Sequence, residues 1–159
     1  SPIEPENNVL KFSTVPELLD QKIVCLSGTR NFCLSVNKEG RVFGCGFNDF
    51  GQLGLGEETK SVSSFTEISS LSRYEIRSAY AGFGHSLFET REGKILSCGW
   101  NYAGELLLSS DLSKAVYSPT ETTITGGSTF CIAGGNLSVV FIGIQPPPNT
   151  PNMRILQFK

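Results

Sequence analysis

The sequence lacks most of the features that mark catalytic, membrane-spanning and nucleic-acid-binding proteins. Its 159 residues include one histidine, one tryptophan and one methionine. No apolar run is long enough to cross a bilayer. No lysine- or arginine-rich run is present, and the formal net charge is −2. A nucleic-acid binder would need a basic surface, so we expect neither nucleic acid nor membrane among the partners.

Cysteine occurs five times, an odd number, and no two cysteines form a Cys-x-x-Cys pair. Four ligands at a spacing suited to zinc are therefore missing. The N-terminal residues 1–5 do not resemble a secretory signal. We expect buried, reduced thiols in an intracellular protein, cytoplasmic or nuclear, with no cofactor and no metal site.

What the sequence does contain is an internal repeat. The string GRVFGCGFNDFGQL at 40–53 returns as GKILSCGWNYAGEL at 93–106, with 98 − 45 and 104 − 51 both equal to 53. A third copy begins near Ala133 and stops after Val140. A fixed period with glycines in register indicates one supersecondary unit used repeatedly, here about two and a half times.

Upstream of this string the alignment of the two copies changes by one residue. Gly28 and Asn31 match Gly82 and His85 at an offset of 54, because 82 − 28 equals 54. This alignment predicts one extra residue in the loop before Gly40 of the first copy.

Each unit reads as four short strands separated by turns. The first copy places them at 23–26, 32–36, 41–43 and 65–68, and the second ends with a strand at 120–124. A polar stretch closed by Gly40, or by Gly93 in the second copy, predicts a hairpin whose last loop residue has positive φ. Segments 57–64 and 108–119 read as long polar links to the outer strand. Glycines after the third strand predict close approach of another backbone.

Apolar inner strands, glycine near the axis and a polar outer strand are typical of a propeller blade. The strings GFGHSL at 82–87 and CGFNDFGQLGLG at 45–56 resemble the regulator of chromosome condensation type repeat. That resemblance covers about residues 20–142. It implies an all-β fold of four-stranded antiparallel blades, which in that family normally closes with seven repeats. The chain would then be a partial propeller, part of a longer one, or a ring completed by self-association.

We expect an N-terminal segment at 1–19, repeats at 20–72 and 73–126, a partial repeat at 127–143, and a proline-rich linker with a terminal strand or tail at 144–159. Short apolar strands at 9–12 and 155–158 are predicted to pair, within the chain or with a second copy, because unpaired strand edges invite association. Residues 105–109 differ from 52–56, so the second exit loop should follow another path.

Few side chains are candidates for chemistry. His85 could act as a general base beside Cys98 or Asp49, but it occupies a repeat position and is expected to be structural. Trp100 occupies the position of Phe47 and is expected in the core or at a blade interface. Cys45 and Cys98 should be equivalent, buried and unpaired. We therefore expect no catalytic, cofactor-binding or metal-ligating residue.

Two functions stay open. The first is a non-catalytic protein-protein interaction scaffold that presents its loops to a protein partner. The second, implied by the activity of the founding member of the resembling family, is guanine-nucleotide exchange on a small GTPase. The acidic pI of about 5.4 gives no basic chromatin-binding surface.

Overall fold

The computed structural model describes residues 14–102, 104–108 and 115–122. These residues form two four-stranded antiparallel sheets in which the strands follow one another in chain order. The first sheet contains β1 (Ile23–Gly28), β2 (Phe32–Asn37), β3 (Val42–Phe47) and β4 (Ser61–Glu67). The second contains β5 (Ile76–Ala81), β6 (His85–Thr90), β7 (Ile95–Trp100) and β8 (Ala115–Glu121). Two short 3-10 helices, Pro16–Leu18 and Ser69–Leu71, complete the described part. The predicted all-β fold of four-stranded blades is confirmed.

The strand pairing corrects the alignment of the two copies. Phe32 pairs with Gly46 in the first blade, and His85 pairs with Gly99 in the second. Both 85 − 32 and 99 − 46 equal 53, so the offset of 53 holds for β2 as well as for β3. The predicted offset of 54 is wrong, and His85 stands in the place of Phe32 rather than Asn31.

The two predicted hairpin glycines are confirmed in the left-handed region. Gly40 has φ of 83° and Gly93 has φ of 82°. The N–H of each donates back across the turn, to Asn37 O and to Thr90 O, at 3.0 Å in both hairpins. Such a conformation strongly disfavours a residue with a β-branched side chain.

The main core lies between the two blades. Phe32, Leu34 and Val36 of β2 share one buried cluster with Ala79 and Ala81 of β5. The alternation of β2 therefore turns its apolar face toward the inner strand of the next blade. Burial of these apolar side chains supplies the main favourable term that holds blade against blade.

On the inner strand of the first blade, the corresponding face is exposed. Leu26 is the counterpart of Ala79, since 79 − 26 equals 53, yet it is 69% exposed whereas Ala79 is 1% exposed. Val24 on the same face of β1 is 62% exposed. The difference arises because β5 packs against the preceding blade, whereas no blade within the described residues packs on this face of β1.

The outer strands begin earlier than the sequence indicates. β4 starts at Ser61 and β8 at Ala115, so both enter segments 57–64 and 108–119 that were expected to be polar links. The first residues of β4 pair with the glycine-containing end of β3, Gly46 with Val62 and Phe47 with Ser61. Most side chains of β4 are partly or fully exposed, so no apolar alternation marks where it begins.

Several expectations concern residues outside the described part. These are the strands at 9–12 and 155–158, the partial repeat at 127–143 with Cys131, and the linker and tail at 144–159. Among the described residues, no helix is long and apolar enough to span a membrane.

Candidate functional site

Four connections lie at one end of the two sheets, which we call the loop end. They are the β1–β2 turn at 29–31, the β3–β4 loop at 48–60, the β5–β6 turn at 82–84 and the β7–β8 loop that starts at 101. Antiparallel strands in chain order place alternate connections at the same end. The β2–β3 and β6–β7 hairpins, at 38–41 and 91–94, therefore lie at the opposite end.

One buried asparagine shapes the β3–β4 loop. Asn48 is fully buried, and its Oδ1 accepts a hydrogen bond from the Leu53 N–H at 2.8 Å. Its Nδ2 donates to Gly56 O at 3.0 Å and to Thr59 O at 2.6 Å. Asn101 repeats the first contact in the second blade, accepting from the Leu106 N–H at 3.1 Å. The repeated asparagine is therefore a loop-building residue.

The exit loop of the second blade follows the first blade through Leu107, contrary to expectation. Gly51 and Gly104 both have φ of 83°. Gly54 then has φ of 67°, and its counterpart Leu107 has φ of 57°. Each donates its N–H to the preceding glycine carbonyl, at 2.8 Å and 3.1 Å. Leucine accepts this unfavourable conformation because the hydrogen-bonded loop around it dictates the path.

The β3–β4 loop of the first blade docks against the second blade. Gln52 O accepts a hydrogen bond from Ser86 Oγ at 2.5 Å and contacts Cys98 Sγ at 3.6 Å. Gly56 N–H donates to Tyr117 O at 3.1 Å. A Cβ on Gly51 would lie 2.5 Å from Tyr117 Cα. This glycine is required by close approach as well as by its φ.

An aromatic cluster forms where the loops of the two blades meet. The Phe50 and Trp100 rings lie edge to face with centroids 4.5 Å apart, and Trp100 and Tyr102 are 5.0 Å apart. Phe50 is 37% exposed and Tyr102 57% exposed. Trp100 is half-buried and contacts loops of both blades, which confirms its expected place at a blade interface. We use "aromatic cluster" for Phe50, Trp100 and Tyr102.

Further exposed aromatic side chains also lie at the loop end. Phe83 is 53% exposed and belongs to the β5–β6 turn, and Phe47 is 51% exposed at the end of β3. A Cβ on the next residue, Gly84, would lie 3.4 Å from Trp100 Cβ. Among the described residues, every strongly exposed aromatic side chain is at this end, whereas the exposed aliphatic ones lie elsewhere.

His85 is buried in the turn that opens β6. It is 2% exposed, and a Cβ on Gly82 would overlap its imidazole ring. Burial lowers the pKa of His85, and the Glu105 carboxylate opposes that shift only in part. The ring is therefore neutral near pH 7 and fills a structural pocket, as the sequence led us to expect.

The cysteines divide into two environments. Cys98 is fully buried, and burial raises its pKa far above that of an ordinary thiol. Cys45 is only half-buried, so the expectation of burial is right for Cys98 and wrong for Cys45. Burial raises the pKa of Cys45 as well, with a further contribution from Cys33. Cys25, Cys33, Cys45 and Cys98 are all unpaired thiols. Since the thiolate is the reactive form, Cys98 is a poor nucleophile.

The aromatic cluster was not predicted from the sequence, in which only Trp100 was singled out. A signal was available, because Phe50 and Tyr102 stand beside the repeated asparagines within glycine-rich turns. Large aromatic residues in turns have little core to fill and are candidates for contact. Within the described ranges, no group of three histidine, cysteine or acidic side chains could hold a metal ion.

Two four-stranded antiparallel sheets, related by a 53-residue repeat and packed through an inner strand, define blades of a β-propeller repeat protein. Residues 39–88 match the family model of the regulator of chromosome condensation (RCC1) repeat. The chain therefore contains repeats of the RCC1 type.

Several known proteins are similar to this chain. A probable E3 ubiquitin-protein ligase HERC3 from Homo sapiens is 33% identical over 106 residues, which are 67% of this chain and 10% of that protein. A secretion-regulating guanine nucleotide exchange factor from Bos taurus is 42% identical over 71 residues, 45% of this chain and 15% of that protein. The chain thus spans a small fraction of these relatives.

The fold also matches solved propellers. The crystal structure of yeast RCC1 (Prp20) bound to Kap60 gives a TM-score of 0.65 at 24% identity, covering 76% of this chain and 30% of that one. At that level of identity the likeness concerns the fold.

Proposed function

We propose that this chain is a non-catalytic propeller module whose loop end binds a protein partner. The observation that carries the proposal is the aromatic cluster. Exposed aromatic side chains that are already held by neighbouring rings lose little conformational freedom on binding, and aromatics are enriched at interaction hot spots. The repeat units at 20–72 and 73–126, and an intracellular location, are parts of the same proposal.

The buried groups favour a scaffold over an enzyme. A general base must lie within hydrogen-bond distance of the substrate proton that it removes. His85, in contrast, is buried with its ring against Gly82. The Cys98 thiol is held protonated by its burial. The loop end exposes aromatic side chains and has more acidic than basic side chains, a surface that suits recognition of a protein partner.

A matched pair of variants tests the scaffold. Phe50→Ser with Tyr102→Ser removes two exposed rings, and Leu26→Ala removes exposed apolar surface within strand β1, outside the aromatic cluster. Affinity capture from cell extract should retain at least one protein on the wild-type chain and on Leu26→Ala that the double variant loses. Circular dichroism and a melting curve first establish that both variants are folded. Identical retention by all three proteins would contradict the proposal.

Guanine-nucleotide exchange on a small GTPase is the second candidate, favoured by the similarity to a named exchange factor over 71 residues. A panel of small GTPases loaded with fluorescent GDP decides between the two functions. Release accelerated by the chain would establish exchange and remove the purely non-catalytic reading. We expect no acceleration, since the exposed rings here pack edge to face and tilted against each other, an arrangement that suits contact with a partner surface.

A further inference from the structure

We propose that the aromatic cluster binds a basic, arginine- or lysine-bearing segment of a partner protein. The proposal rests on the scaffold function and specifies the chemistry of the partner. It follows from two properties of the loop end that the structure combines in one place, exposed ring faces and an excess of carboxylates.

The ring faces come from three side chains in series. Phe50 and Tyr102 flank Trp100 at 4.5 and 5.0 Å between centroids, and the interplanar angles are 61° and 48°. Rings tilted in this way present faces and edges in several directions. The face of an aromatic ring is electron-rich and attracts a guanidinium or ammonium group, tryptophan most strongly.

The charge of the surrounding loops has the matching sign. The loop-end segments 29–31, 47–60, 82–84 and 100–108 contain four acidic side chains, Asp49, Glu57, Glu58 and Glu105, and two basic ones, Arg30 and Lys60. The Lys60 ammonium already lies over the Tyr117 ring, 5.6 Å from its centroid. The Tyr117 hydroxyl donates to Asp49 O at 3.2 Å, so this aromatic–cation contact adjoins the Asp49 loop.

The opposite end of the sheets has a different composition. Its hairpins, 38–41 and 91–94, contain four basic side chains, two acidic ones and no aromatic ring. Three of those four basic side chains are already paired with carboxylates of neighbouring segments, Arg41 with Glu67, Arg91 with Glu75 and Lys94 with Glu121. A basic segment is therefore attracted to the loop end, whereas the carboxylates of the far end are occupied by these ion pairs. An acidic segment would be repelled by the carboxylates of the loop end, and a neutral apolar one would desolvate them without compensation.

Trp100 is the only tryptophan, so its fluorescence reports on the aromatic cluster directly. The probe is a short synthetic peptide of alternating arginine and glycine, with serine–glycine and glutamate–glycine peptides as matched controls. The arginine peptide should change the emission with saturation, and its affinity should fall as salt rises from about 50 to about 200 mM because surface charges are screened. The control peptides should leave the emission unchanged.

Variants locate the contact. Tyr102→Ala should weaken the arginine peptide about fivefold, the change expected from one cation–π contact. The triple change Asp49→Asn, Glu57→Gln and Glu58→Gln should weaken it at least as much, and Leu26→Ala should have no effect. The proposal is overturned if the arginine peptide gives no saturable change, if serine–glycine binds as tightly, or if the variants bind like wild type. Partners lost on the Phe50 and Tyr102 double variant would still establish the scaffold, so the two proposals fail separately.

Discussion

The buried Asn48 side chain gives the most quantitative prediction. Asn48→Ala removes three hydrogen bonds, to Leu53 N–H, Gly56 O and Thr59 O. A buried backbone group left without its partner costs about 1–3 kcal/mol. Some of the three groups will regain water, so we expect a total loss of about 3–5 kcal/mol. That is a large part of the 5–15 kcal/mol typical of a domain.

Asn48→Asp separates hydrogen bonding from volume. The aspartate keeps an acceptor for Leu53 N–H but turns a carboxylate oxygen toward two carbonyl oxygens, at positions where Nδ2 now lies 2.6 and 3.0 Å away. We expect it to be at least as destabilising as alanine at pH 7. Part of the loss should be recovered near pH 4, because a protonated carboxyl group can donate one hydrogen bond.

Urea unfolding followed by Trp100 fluorescence measures both variants. Asn31→Asp, a half-exposed residue in the adjacent turn, controls for the added charge and should change stability by less than about 0.5 kcal/mol. If Asn48→Asp unfolds within that margin of wild type at pH 7, the asparagine does not hold the loop and the reasoning is refuted.

Three further predictions concern other positions. Gly40→Val should lower the free energy of unfolding by about 1–3 kcal/mol from backbone strain alone, and by more because a Cβ would lie 3.0 Å from Ile76 N; an unchanged urea midpoint would contradict this. A thiol reagent should label Cys45 much faster than Cys98 in the folded protein, and equal rates would contradict their different burial. The lowered pKa of His85 means that the unfolded chain binds the extra proton first, so stability present above about pH 6.5 should be lost as the pH falls below it. His85→Phe should flatten the stability profile between about pH 7 and 5.5, and an unaltered slope would show that another group titrates.

The alignment of the two copies was wrong because it matched two glycines that have different structural roles. Gly28 and Gly82 look equivalent, but Thr29 is the true counterpart of Gly82, since 82 − 29 equals 53. The imidazole of His85 occupies the space that a Cβ at position 82 would need. Phe32 does not occupy the corresponding space, so a side chain is tolerated at Thr29. The Thr29 hydroxyl accepts the Asn31 N–H at 3.3 Å. Gly28 and Gly82 are therefore required by different packing contacts, and a comparison of the two sequences cannot distinguish these contacts.

The predictable parts are those that local residues dictate. Gly40 and Gly93 close their hairpins as expected, because positive φ is a local property. The path of Leu107 and the early start of β4 depend on contacts with distant residues, so no local preference indicates them. The aromatic cluster is also a long-range feature, since Phe50 and Trp100 come from different blades.

The docking of the β3–β4 loop on the second blade has a consequence for how the array gains its stability. Gln52 O receives its hydrogen bond from Ser86, and Gly56 donates to Tyr117, so the most recognisable string of the first repeat is completed by the second. The unit that repeats in the sequence is therefore not a unit that is stable independently of its neighbour. Nearest-neighbour coupling of this kind is what makes repeat arrays unfold as linear cooperative chains. A substitution that disrupts the β3–β4 loop of one blade will therefore also destabilise the outer strand of the next blade.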